Sequence, residues 1–235
     1  MRELLVKIAV ATGTYKGIVE IINRVKQFFQ ARRLRKRGLS VLIDADKAFT
    51  EAGMQLFPAF GTQLGFYRDK GFIKYDFDID TGVLAEADRD TVHNTMQRHG
   101  FRLNCQTFVR EDDGTETVTE ENYIKNGVSL DVFYYFREKD MLFAYCPQKH
   151  EYKDWREANR TDGFPIILSY VPVSDFERRQ VMGYEFYMPV NIEEWLRAMY
   201  SDTFMTPIKN WYGSEHEHKT LRTTTPKRCY RKYPE

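Results

Sequence analysis

Three aspartates alternate in the stretch YDFDID, at Asp76, Asp78 and Asp80, and a fourth acid, Asp131, interrupts the apolar run VSLDVFYYF. Like charges this close repel, so an ordered segment keeps them only beside a positive partner or under water. On a β-strand, side chains two apart share a face at a spacing of about 6.6 Å, which would put Asp76, Asp78 and Asp80 on one side and turn Phe77 and Ile79 to the core. Such a carboxylate ladder offers hard oxygen ligands for Mg²⁺ or Mn²⁺, with coordination positions left open for phosphate. Asp131 stands where a central strand is expected, and a buried acid needs a partner. It either completes the metal-binding set, takes a proton from an attacking hydroxyl, or pairs with a base such as Arg137.

Two other metal motifs fail. An EF-hand loop beginning at Asp76 would need Gly at its sixth position and Glu at its twelfth, and the chain has Thr81 and Ala87 there. His216, His218 and Cys229 are too few and too irregularly spaced for a zinc site. Upstream of the aspartates, Gly61 and Thr62 offer backbone N–H groups and a hydroxyl at the start of a helix, a place that suits phosphate oxygens, and Arg68 and Lys70 follow on the same short segment.

These residues need a scaffold, and the hydrophobic periodicity supplies one. Ile18, Ile21, Ile22, Val25, Phe28 and Phe29 recur at helical steps, with Arg24, Lys26, Arg32, Arg33 and Arg35 beside or beyond them, so residues 18–37 read as a basic amphipathic helix stopped by Gly38. Such a helix suits peripheral contact with an anionic membrane, or packing on the body or on a second copy. A second helix is expected from Ser40 to Gly53, then a strand over residues 55–60, a turn at Gly61 and Thr62, a short helix to Gly71, and a strand over residues 72–83. A helix ending at Gly100 precedes extended segments at residues 101–110, 118–125, 128–136 and 141–145. PIILSYVPV and GYEFYMPV read as further strands, NIEEWLRAMYSD as a helix capped by Asn191, and residues 147–163 and the basic tail from His218 as irregular. The sum is an α+β layout, a mixed sheet with flanking helices. Residues 1–38 form a helical extension and residues 39–235 the main domain.

The formal net charge of +1 conceals an asymmetry: residues 1–37 carry +8, residues 219–235 carry +5, and the acidic middle carries −12. Duplex-binding proteins line one face with positive charge, so no nucleic-acid partner is expected; anionic small molecules fit better. Three cysteines without CxxC spacing argue against a disulfide framework. The first residues, MRELLVKIAVATG, lack a signal-peptide layout, and no run of eighteen apolar residues occurs, so the expected location is cytoplasmic, at most peripheral at the inner face of a membrane.

The stretch FGTQLGFYRDKGFIKYDFDID resembles the signature of the LicD and fukutin-related family, in which a Gly-Thr-Leu-Leu-Gly run, an Arg, a Lys-Gly pair and a D-x-D-x-D end follow in this order. VSLDVFYYF is similar to the family's next block, and EEWLRAMYSDTFMTP to its third. The likeness runs over residues 49–211. It implies a nucleotidyltransferase-like fold and transfer of a phospho-substituted group, phosphocholine first or else glycerol or ribitol phosphate, from a CDP-linked donor to a glycan hydroxyl, with CMP released. The acceptor would be a cell-surface polysaccharide or lipopolysaccharide, in some cases lipid-linked. Carried over by position, Asp76, Asp78, Asp80 and Asp131 would be the metal-binding acids, with Asp78, Asp80 and Asp131 catalytic, and Gly61, Thr62, Arg68 and Lys70 would bind substrate. Lys74 and Tyr75 replace a usual Pro-Trp pair, Phe77 a common Asp, and Ser201 a glycine, changes that touch donor choice more than the acids. Trp155, Trp195, Trp211 and Tyr212 are candidate rings for a quaternary ammonium head group. A nucleotidyltransferase releasing pyrophosphate and a non-catalytic membrane-associated protein are the alternatives.

Overall fold

The computed structural model describes residues 15–148, 155–208 and 221–234. The expectations for the first residues, for Trp211 and Tyr212, and for His216 and His218 lie outside the described residues, as do residues 149–154 of the loop read as irregular.

The first helix, α1, runs unbroken over Tyr15–Glu51. Gly38 does not stop it: a Cβ there would meet Leu34 Cδ1 at 2.7 Å and the Phe72 ring at 3.1 Å, so the glycine lets another segment press against a continuous helix. Ala31, Leu34, Val41, Leu42, Ala45, Ala48 and Phe49, at steps of three, seven, one, three, three and one, form the buried stripe, the face that packs on the body. Strand β1 is only Phe57–Pro58, paired with Gly82 and Thr81. Helix α2, Phe60–Arg68, starts directly after it, so Gly61 and Thr62 belong to the first helical turn and not to a separate turn.

Strand β2 covers Asp78–Leu84. The expected strand over residues 72–83 therefore forms only in its second half, and Asp76 precedes it. The reason lies in Phe72, whose ring packs edge-on to Phe66 at 5.3 Å and bends the chain back over α2 before the strand can begin. Helix α3, Arg89–Arg98, leads to strands β3, Arg102–Arg110, β4, Glu116–Lys125, β5, Val128–Glu138, and β6, Met141–Pro147. Asn126 and Gly127 join β4 to β5 with φ of 53° and 75°, the paired left-handed conformations of a tight hairpin turn, which fixes the register of the two strands. Helix α4, Trp155–Arg160, breaks the loop read as irregular. Then come β7, Phe164–Pro172, a hairpin of β8, Phe176–Val181, and β9, Tyr184–Pro189, helix α5, Ile192–Tyr200, and β10, Arg222–Lys232. The basic tail is thus a strand and not irregular.

The main sheet has the order β1-β2-β5-β4-β3-β10-β7-β6, and the end of β5 also pairs with β6, so the strands from β5 round to β6 close on themselves. β2 and β5 are parallel and their neighbours antiparallel, so the α+β layout with a mixed sheet and flanking helices is observed, while the closure was not expected. β10 makes that closure possible by pairing with β3 on one side and β7 on the other. Asn191 flanks α5 without a capping side-chain bond; Glu193 and Glu194 supply negative charge to its first turn instead. One core cluster joins α1, the sheet and α5, with Trp195 fully buried between Phe57 and Tyr135.

Candidate functional site

Parallel pairing of β2 with β5 puts Asp80 level with Asp131 and Asp78 level with Ser129. Antiparallel pairing of β5 with β4 then puts Asp131 level with Asn122, so a polar row crosses three adjacent strands. Asn122 Nδ2 donates to Asp131 Oδ1 at 2.6 Å and to Ser129 Oγ at 2.6 Å, and Asn104 Nδ2 donates to Asn122 Oδ1 at 2.8 Å. Asp131 is therefore held by an amide, and the alternative partner Arg137 lies further along β5 at the hairpin with β6, level with Leu142.

Helix α2 is clamped to the same row. The Gly61 N–H donates to Asp80 Oδ2 at 3.2 Å, and Thr62 Oγ1 accepts the Asp80 N–H at 2.9 Å. Both groups proposed for phosphate are thus engaged with Asp80, whose carboxylate sits at the positive end of the helix. A Cβ on Gly61 would stand 3.1 Å from Asp76 Oδ2 and 3.4 Å from Asp80 Oδ2, so the missing side chain is what lets the two carboxylates approach this turn. Phe60, just before it, has φ of 39°, a left-handed conformation that a bulky residue keeps only when its surroundings enforce it; here the ring lies edge-on to Phe133 at 4.8 Å. The segment carrying Asp76 is tied down from α1, where Arg35 Nη1 donates to the Lys74 carbonyl at 2.9 Å.

The acids influence one another strongly. Burial, then the charge of Asp78, raises Asp76 to about 7, against which Arg68 pulls downward. Burial raises Asp78 to about 6, with Glu120 adding to it. Asp78 is half-buried by accessible surface, yet protein surrounds it closely enough for desolvation to dominate. Asp80 and Asp131 are raised well above the usual carboxylate range, first by burial and then by their acidic neighbours. Among the described residues no three acidic, histidine or cysteine side chains stand in an arrangement that could hold an ion as they are. The donor chemistry nevertheless suits a hard divalent cation: Asp78, Asp80 and Asp131, each costly to ionise alone, stand along adjacent strands beside a helix N-terminus.

Two clefts open on either side. The larger, about 1000 Å³, is lined by Gly61, Arg68, Lys74, Tyr75 and Asp76 together with residues 200–208 and Arg24 and Gln27 of α1. The smaller, about 350 Å³, is lined by Glu120, Phe60, Phe133, Trp155, Arg222 and Arg231. Arg68 reaches the larger cleft while its guanidinium grips Asp69 in two bonds of 2.8 and 2.9 Å. Lys70 lies elsewhere: its ammonium donates to the Tyr67 carbonyl, and it lines neither cleft. Trp195 is core and cannot wall a pocket. Trp155 lines the smaller cleft but carries the Arg231 guanidinium on its ring at 3.9 Å.

The chain matches the family model described as LicD/FKTN/FKRP, nucleotidyltransferase domain, over residues 53–191, a span that takes in Gly61 and all four aspartates. The chain belongs to this family. Its relatives include the mouse protein named ribitol-5-phosphate transferase FKTN, 27% identical over 178 residues, and the human protein of the same name, 24% identical over 182 residues. These alignments cover 75% and 77% of this chain, which spans about a third of the length of the curated relatives it matches, 35% and 36% respectively.

Sequence reading missed Glu120, Asn122, Arg222 and Arg231. Glu120 is buried beside Arg231 Nη2 at 3.4 Å, and its charge on β4 helps to raise Asp131. Its signal was present: Glu120 and Glu121 are consecutive acids inside a strand, so one of them had to face each side of the sheet. Glu121 is satisfied by the hydroxyls of Tyr123 and Tyr134 at 3.0 and 2.9 Å, which leaves Glu120 to the site.

Proposed function

We propose that the protein is a metal-dependent transferase that moves a polyol phosphate, of the ribitol or glycerol class, from a CDP-linked donor onto a glycan hydroxyl and releases CMP. The observation that carries this reading is the pairing of Asp80 with Asp131 across parallel strands, with Asp78 and Asp76 alongside and the first turn of α2 bonded to Asp80. The relatives named as ribitol-5-phosphate transferases favour a polyol over phosphocholine.

The residues divide the work as follows. Asp78, Asp80 and Asp131 would hold Mg²⁺ or Mn²⁺, which when bound neutralises charge on the diphosphate. The smaller cleft takes the nucleotide, its rings facing the base and Arg222 and Arg231 its phosphates. The acceptor enters the larger cleft, where Arg68 lies beside Asp76. The acceptor oxygen forms a bond to the phosphorus that bears the polyol, the bond from that phosphorus to the CMP oxygen breaks, and CMP leaves with the electron pair. Asp76, raised to about 7, is matched to take the hydroxyl proton near neutral pH.

The test is incubation with Mg²⁺ or Mn²⁺, a glycan acceptor, and CDP-ribitol, CDP-glycerol or CDP-choline in turn. CMP release that requires both metal and acceptor and is fastest with a polyol donor is the expected result. Release of pyrophosphate from a nucleoside triphosphate would replace this reading with nucleotidyl transfer, and unimpaired biological activity of Asp80→Asn would abolish it.

A further inference from the structure

Helix α1 carries two apolar stripes, and they face opposite ways. The buried stripe from Ala31 to Phe49 packs on the body. Ile21, Ile22, Val25, Phe28 and Phe29 form another, at steps of one, three, three and one, and all five are exposed, Ile21 at 64% and Phe28 at 61%. At 3.6 residues per turn the second stripe lies roughly half a turn around the helix from the first. It is therefore no continuation of the core face. The residues that do continue the core face into this half are Arg24 and Gln27, which are polar and line the larger cleft.

The exposed stripe also changes character along the helix. From Ile21 the row runs through Val25 and Phe28 to Arg32 and Lys36 at steps of four, three, four and four, so apolar side chains give way to exposed basic ones on one face. Exposed apolar groups from two other segments, Tyr75 at 71% and Ile208 at 45%, stand at the same cleft. A second protein chain would have to supply both an apolar groove and acidic groups in this order; the headgroup and acyl boundary of an anionic bilayer supplies them everywhere.

We infer that the exposed face of α1 docks on an anionic membrane surface, Ile21 to Phe29 entering the interface and Arg32 and Lys36 meeting lipid phosphates. The larger cleft, walled by Arg24 and Gln27 on the far side of α1, then lies one helix diameter, ~10 Å, from the bilayer surface. That this would admit a lipid-borne acceptor rests on the transferase reading; the docking does not.

Flotation of the full chain with vesicles tests it. Binding to phosphatidylcholine mixed with phosphatidylglycerol, weakened by salt and much reduced on phosphatidylcholine alone, is expected. Val25→Asp with Phe28→Asp should lower binding by about tenfold or more. Arg32→Gln and Lys36→Gln should each lower it by about fivefold. None of these should alter CMP release on a soluble acceptor. Binding that ignores lipid charge, or that survives the Val25 and Phe28 changes, overturns the proposal. So does sedimentation showing a dimer that these changes dissociate, which would assign the face to a second copy of the chain. Failure of CMP release in every protein, with flotation as expected, would sink the transferase reading and leave the docking intact.

Discussion

Replacing Asp78 by Asn separates what the acids do for function from what they cost the fold. In the metal-free protein Asp78 is raised from 3.8 to about 6, first by burial and then by the charge of Glu120. A carboxyl whose folded value lies above its unfolded value costs nothing below the unfolded value. The cost grows as pH rises between the two and is complete above the folded one. At about 1.36 kcal/mol per unit, the upper limit for Asp78 above pH 6 is about 3 kcal/mol, trimmed by water reaching its exposed edge. Asn keeps the shape and removes the charge, and it also relieves the repulsion felt by Asp80. Metal-free Asp78→Asn should therefore be more stable than the parent by about 1–3 kcal/mol at pH 7.5, or several degrees in Tm for a chain of this size, with the gain gone by about pH 4. On the transferase reading, Mg²⁺ or Mn²⁺ should stabilise the parent and not this variant, which should also lose CMP release. Thermal melts at pH 4 and 7.5 with chelator and with metal provide every reading. Equal or lower metal-free stability of the variant at pH 7.5, or a gain that persists unchanged at pH 4, would refute the claim that burial makes the Asp78 charge costly.

Gly61→Ala places a methyl 3.1 Å from Asp76 Oδ2 in a helical turn that tolerates alanine, so turnover should fall about tenfold to hundredfold with Tm nearly unchanged, measured by initial rates and melting. Gly82→Ala sets a methyl 2.3 Å from the Phe57 ring and 2.7 Å from Tyr135, and overpacking of about 1–3 kcal/mol should appear in urea unfolding. Arg231→Met removes the cation beside buried Glu120, whose value is already raised by burial and is pulled down by Arg231. The loss of stability should be larger at pH 8 than at pH 5, where Glu120 takes a proton, as melts at the two values will show.

The strands from β3 to β7 were legible because each is a run of alternating or apolar residues bounded by turn residues. The site's acids were legible for a chemical reason, since three aspartates spaced by two cannot be housed without cost. What stayed hidden depended on contacts far along the chain. Gly38 reads as a helix stop, and only the position of Phe72 shows it to be a contact surface inside one helix. β10 has the sequence RTTTPKRCYRK, with Pro226 at its register shift, and nothing local marks it as a strand between two others. Glu120 and Arg231 come from β4 and β10, which are not neighbours in the sheet but flank β3, and they meet because both stand level with Thr107 of that strand.

The closure of the strands on themselves sets an order for biosynthesis. β3 and β7 both wait for residues 222–232, so while the ribosome is still delivering the intervening segments each of these strands shows an unsatisfied backbone edge to solvent. Half-made chains should therefore be the form most prone to self-association and most dependent on chaperones, and stalling translation between β7 and β10 is where that hazard should peak.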